Sequence, residues 1–159
     1  MYQEKISLLK YNVEYNKKFR ISENILDCQV IDFFSYLRFL LYEEDFDNLI
    51  KMINENYKLM MDDSSTGFYL ISPLSAKNEL KVLKKIEDLC LNELNKYPHT
   101  LEEDEDIIKK DKNKEINLTN NKRNCVIMRM SEKRILKFFI KFSKYCSELF
   151  GKTEKVKNN

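Results

Sequence analysis

Four groups of side chains in this sequence carry reactive or charged chemistry at suggestive spacing. Histidine is the residue type whose chemistry suits a general acid or base near neutral pH, and His99 is the only one in the sequence. It stands in Tyr97-Pro98-His99-Thr100 with no Ser or Cys nucleophile beside it in sequence, which favours an exposed turn histidine over a catalytic one. The acidic run Glu102 to Asp106 has the oxygen donors of a cation site, but consecutive acids on a helix point in different directions. Helix capping and the helix dipole account for it better. The cysteines, Cys28, Cys90, Cys125 and Cys146, are separated by 62, 35 and 21 residues, so no pair has zinc-knuckle or redox-motif spacing. Buried, unbridged thiols in a reducing compartment are expected instead. Lastly, Arg129 shares a helix face with Glu132 and Lys133, three and four residues on, while Glu132 and Lys133 do not face each other. That spacing points to structural ion pairing first.

The elements that must position these groups are helical. Residues 1–11 have a short amphipathic pattern, and 13–21 alternate weakly, which permits a strand or extended segment. Ser22 or Asn24 is the expected N-cap of a buried helix over 29–41, with apolar residues at 30, 33, 34, 37, 40 and 41. Asp45 caps a shorter helix through Leu49 and Ile53, and 62–72 is the main break. Ser75 caps the next helix, whose stripe runs through Leu80, Leu83, Ile86 or Leu89, Cys90, Leu94 and Tyr97 until Pro98 ends it. Thr100-Leu101-Glu102-Glu103 is a capping box. The tract 109–122 reads as a solvated loop. From Thr119 to a C′ glycine at Gly151, the chain reads as one long helix or two joined ones, with Phe138, Phe139 and Phe142 toward the core.

The chain has 159 residues, of which 2 are Gly and 2 are Pro. Hairpins and phosphate-cradling loops draw on those residues, so most β architectures and glycine-loop nucleotide folds are excluded. With 43% hydrophobic and 34% charged residues, it reads as globular and all-α, with at most a short extended segment near the N-terminus. A single domain over 1–151 and a polar flexible tail over 152–159 are expected. The first twelve residues lack the apolar stretch of roughly 7–15 residues that marks a signal peptide. No apolar run of about 20 residues is present to span a membrane. Cytoplasm or nucleus is the expected location.

The formal net charge is +2, but it is segregated. Residues 23–63 hold ten acids and three bases, whereas 120–159 hold eleven bases and three acids. Such a chain shows an acidic and a basic face, or pairs the two segments. Nucleic-acid binding by the basic helix is disfavoured. Its apolar faces occupy the same helix, and 16 Asn among abundant Lys reflect a compositional bias.

In the second half the order of motifs becomes specific. Ser72-Pro73-Leu74-Ser75 and Asn78-Glu79 lead into a leucine-rich helix through Cys90, then Tyr97-Pro98-His99-Thr100-Leu101-Glu102-Glu103-Asp104-Glu105. After an insert come Asn121-Lys122-Arg123 and Arg129-Met130-Ser131-Glu132-Lys133-Arg134-Ile135-Leu136. This order resembles the substrate-binding domain of Rubisco large-subunit methyltransferase (LSMT), clearly over 72–140 and loosely before that. Ser131 stands where family members often have glycine. The resemblance implies a non-catalytic helical module that holds a protein substrate for a SET-domain methyltransferase of lysine, or of histidine. It implies contact with that protein through Arg129, Glu132 and Lys133 as the functional alternative to ion pairing. S-adenosylmethionine is expected on a SET domain in cis, and not here: two glycines and a lone His99 do not supply that domain's cofactor turns or its Asn-His pair. No catalytic, cofactor or metal residue is therefore assigned. The alternative is a stand-alone helical protein-interaction adaptor.

Overall fold

A computed structural model describes residues 21–43, 45, 47–49, 51 and 73–157, with side chains to 152. The chain divides into two compact units, residues 1–82 and 83–159. Among the described residues the structure is all-α, with no strand. The patterns expected over 1–20 and 62–72 lie outside the described residues.

In the first unit, α1 spans Cys28–Leu40. Its N-cap is Asp27, whose carboxylate accepts the Gln29 N–H at 2.9 Å. This corrects the expected cap: Asn24 instead closes the preceding turn, accepting the Leu26 N–H at 3.1 Å. Val30, Phe34 and Leu37, at helical spacing, form the buried stripe with Phe39 and Tyr42. Complete burial of one such side chain contributes about 1.5–3 kcal/mol. Arg38 is buried among them. It lies over the Phe34 ring at 5.6 Å and grips Glu79 with two bonds of 2.7 Å. Asn78 donates to the Arg38 carbonyl at 3.0 Å, while Ser75 caps the chain at Asn78, as expected, at 3.0 Å. Asp45 also caps as expected, accepting the Asn48 N–H at 3.1 Å.

Helix α2 runs over Ala76–Leu94. In its second-unit portion Leu83, Ile86 and Cys90 are buried and Leu89 is exposed, so the stripe takes Ile86. The helix closes at Leu94, a turn before Pro98, through i→i+3 bonds: Lys96 N–H to Glu93 O and Tyr97 N–H to Leu94 O. Helix α3 covers Leu101–Lys112. Its capping box is formed in both directions: Thr100 Oγ1 accepts the Glu103 N–H at 3.1 Å, and Glu103 accepts the Thr100 N–H at 2.6 Å. The tract expected to be a loop over 109–122 narrows to 113–119, because α3 continues to Lys112 and the next helix starts at Asn120.

Helix α4 spans Asn120–Lys157. Thr119 caps it, accepting the Lys122 N–H at 3.4 Å. Gly151 is not its cap: its φ is not positive and the helix continues through it. Residues 152–157, read as tail, are thus helical. Val126, Met130, Leu136, Phe139 and Ile140 supply its buried stripe. Phe138 and Phe142 stack at 6.2 Å beside Phe139, half-buried, whereas Phe139 is fully buried. The expectation of buried thiols holds for Cys90 alone; Cys28 and Cys125 are exposed and Cys146 is intermediate, all unbridged.

Candidate functional site

The sequence-predicted polar residues converge where α3 packs on α4. On α3, Leu101, Asp104, Ile108 and Asp111 follow one another at spacings of three, four and three, which places them on one stripe. That stripe buries two carboxylates: Asp104 is 0% exposed and Asp111 8%. A buried carboxylate must find cations or neutralise, and α4 presents them at matching heights.

Asp104 receives both Arg129 and Lys133, which lie one turn apart on α4. Arg129 Nε donates to Asp104 Oδ2 at 2.8 Å, and a second guanidinium nitrogen reaches Oδ1, making the contact two-pronged. Lys133 Nζ donates to Asp104 Oδ2 at 2.5 Å. Its remaining protons go to the carbonyls of His99 at 2.5 Å and Thr100 at 3.3 Å. The Tyr97 ring lies 5.1 Å from the same ammonium, in cation–π range, and the Tyr97 hydroxyl donates to Glu132 at 2.8 Å. The three candidate residues therefore separate. Lys133 is wholly enclosed, Arg129 is turned inward on Asp104, and Glu132 remains at the surface against Tyr97.

The rest of the acidic run is shared out along the same seam. Glu105 pairs with Arg134 at 2.9 Å and Glu102 with Lys137 at 2.6 Å. Glu103 serves the capping box, and Asp106 takes Lys110 on its own helix at 2.7 Å. Farther along α3, Asp111 accepts Arg123 at 2.6 Å and the Leu118 N–H at 2.8 Å. The partners descend α3 as they ascend α4, so they fix the two helices antiparallel in a single register.

The electrostatics follow from this pairing. Burial pushes the Asp104 carboxyl up, but hydrogen bonds from Arg129 and Lys133 outweigh it and hold the group below its ordinary range. Arg123 holds Asp111 low, helped by the Leu118 N–H. Burial, with the Glu132 carboxylate beside it, pushes the Tyr97 phenol up to about 12. His99 lies exposed in the turn that Lys133 secures through its backbone. Among the described residues no set of His, Cys, Asp and Glu could hold a metal ion. What the arrangement does chemically is hold shape: it fixes the 97–100 turn and the α3–α4 register.

The sequence presents Asp104 only as a member of the acidic run, Tyr97 and Arg123 only within the apolar stripe and the motif order, and Asp111 in no role. The signal for Asp104 and Asp111 was present, as carboxylates seven residues apart on the stripe where apolar residues belong. Tyr97 was read as apolar stripe, and only the three-dimensional approach of α4 gives it Lys133 and Glu132.

The family model described as Rubisco LSMT substrate-binding matches residues 1–136. That span takes in α1, α2, α3 and the first part of α4, including the whole Asp104 cluster. No curated protein and no solved structure matches the chain.

Proposed function

The chain belongs to the Rubisco LSMT substrate-binding family, and from that premise we propose that it is a non-catalytic module that holds a protein substrate for a SET-domain protein methyltransferase. The family match carries this reading. In it, S-adenosylmethionine and the transfer chemistry belong to a SET domain, and the helical module contributes contact area and orientation for the target. The unbridged cysteines suit a reducing compartment, cytoplasm or nucleus.

Within this proposal the three candidate residues have distinct parts. Arg129 and Lys133 act as positioning residues through Asp104. Glu132, with its carboxylate at the surface, is the one of the three that meets the target. A rigid turn and a fixed helix register reduce the ordering cost of binding.

An antibody against α3 and α4 tests the reading. It should precipitate S-adenosylmethionine-dependent protein methylation together with a polypeptide far longer than 159 residues. A product of this length with no associated methylation would favour the stand-alone adaptor. Micromolar binding of S-adenosylmethionine to the isolated chain in calorimetry would overturn the non-catalytic assignment.

A further inference from the structure

The bases of α4 are matched by acids of α3 only along part of its length. Arg123, Arg129, Lys133, Arg134 and Lys137 each meet a carboxylate of α3. The last of these pairs is Lys137 with Glu102, one residue from the start of α3. Beyond it α4 continues with Lys141, Lys144 and Lys152, all exposed. Among the described residues Lys144 pairs with Glu87 at 3.8 Å, and Lys141 meets no carboxylate. Lys141, Tyr145 and Lys152 recur at spacings of four and seven and so share one outward face. Tyr145 is 63% exposed there. One carboxylate, Glu148, interrupts the run.

We propose that this face of α4, with Lys141, Tyr145 and Lys152 along it and Lys144 at its edge, docks an acidic segment of the protein target that carries an apolar or aromatic residue. The proposal rests on the substrate-binding reading above and names where, and with what chemistry, the target is held. Exposed lysines that no α3 carboxylate faces steer and orient an acidic chain. A tyrosine offers a large amphipathic contact with few rotatable bonds to order.

The test uses the full chain and a fluorescein-labelled peptide of alternating Asp and Glu with one central Phe, followed by anisotropy. A thymidine oligonucleotide of equal charge is titrated alongside. The wild-type chain should bind the peptide in a salt-sensitive manner. K141E/K144E should weaken binding by about tenfold or more, and Tyr145→Ala by a smaller factor, with thermal melting unchanged in both. Equal binding by wild type and variants, no binding by wild type, or tighter binding of the oligonucleotide would each overturn the proposal. Methylation of the natural target that persists undiminished in K141E/K144E would refute this surface and leave the substrate-binding reading standing.

Discussion

The Lys133 ammonium meets the Asp104 carboxylate at 2.5 Å with both side chains fully excluded from solvent. Such a pair contributes little net stability compared with a well-packed apolar pair, yet half of it left alone is costly. Asp104→Asn is therefore expected to destabilise the chain by about 3–5 kcal/mol, because Lys133 stays enclosed without its counter-charge. Asp104→Leu combined with Lys133→Met should recover most of that loss, since Arg129 is partly exposed and can turn to water. Urea unfolding of the single and double variants measures this. A double variant no more stable than Asp104→Asn would show that packing, not charge, dominates the seam.

Acid should weaken the same seam. Asp104 lies below its ordinary range because hydrogen bonds from Arg129 and Lys133 overcome the upward push of burial. Asp111 is held low chiefly by Arg123, Glu102 by Lys137, and Glu103 by the Thr100 N–H. When a folded pKa is depressed, the unfolded chain takes up protons first as pH falls. The stabilisation is then complete above the unfolded carboxyl value, near about 4, and is lost as pH drops toward the folded values. Melting temperature should be nearly level from about pH 5.5 to about pH 8 and fall steeply below about pH 4. Asp104→Asn should fall less steeply; the same slope in both proteins would remove Asp104 from the account.

The α3 exit stores backbone strain at one residue. Lys114 has φ 61°, the left-handed region in which a β-carbon is crowded. Its place follows from two bonds that close the helix, Glu115 N–H to Lys110 O at 3.0 Å and Lys114 N–H to Asp111 O at 3.1 Å, in the arrangement that usually employs glycine. Lys114→Gly should raise stability by about 1 kcal/mol, the relief of strain exceeding glycine's added freedom in the unfolded chain. Lys114→Val should do the opposite. Thermal melts of both decide it, and a destabilised Lys114→Gly would mean that the lysine stem packs usefully.

Much of this was legible from residue order. Helical periodicity located α1 and α2, and short-range chemistry located Ser75, Thr100, Asp45 and Thr119 as caps, because each acts within three residues. The all-α class followed from two glycines and two prolines. The misreadings share a cause. Asp27 replaces Asn24 as the cap of α1 because both residue types are suitable and only the backbone path chooses. Gly151 looks like a terminator, yet the helix runs through it, and a β-carbon there would meet no atom within 4 Å, so the position does not require glycine. In the candidate site, Arg129 and Lys133 were visible as an i,i+4 pair, but their shared counter-ion is 25 and 29 residues away. The capping role of the acidic run was legible; the inward turn of Asp104 depends on where α4 lies, a fact no local window contains.

Thiol chemistry separates the cysteines and tests the packing independently of charge. Cys90 is buried on the α2 stripe, and burial, with Glu93 adding to it, pushes its thiol up to about 11. The thiolate is the reactive form, so Cys90 is protected twice, by exclusion of the reagent and by protonation. Cys28 and Cys125 are exposed. With a disulfide reagent at neutral pH, Cys28 and Cys125 should react quickly in the native protein and Cys90 only after unfolding, so its labelling rate should rise with urea. Cys125→Ala should remove one equivalent of the fast phase and leave the slow phase of Cys90 unchanged. Fast labelling of Cys90 in the native chain, located by peptide mass mapping, would mean that the stripe of Leu83, Ile86 and Cys90 is not closed to solvent.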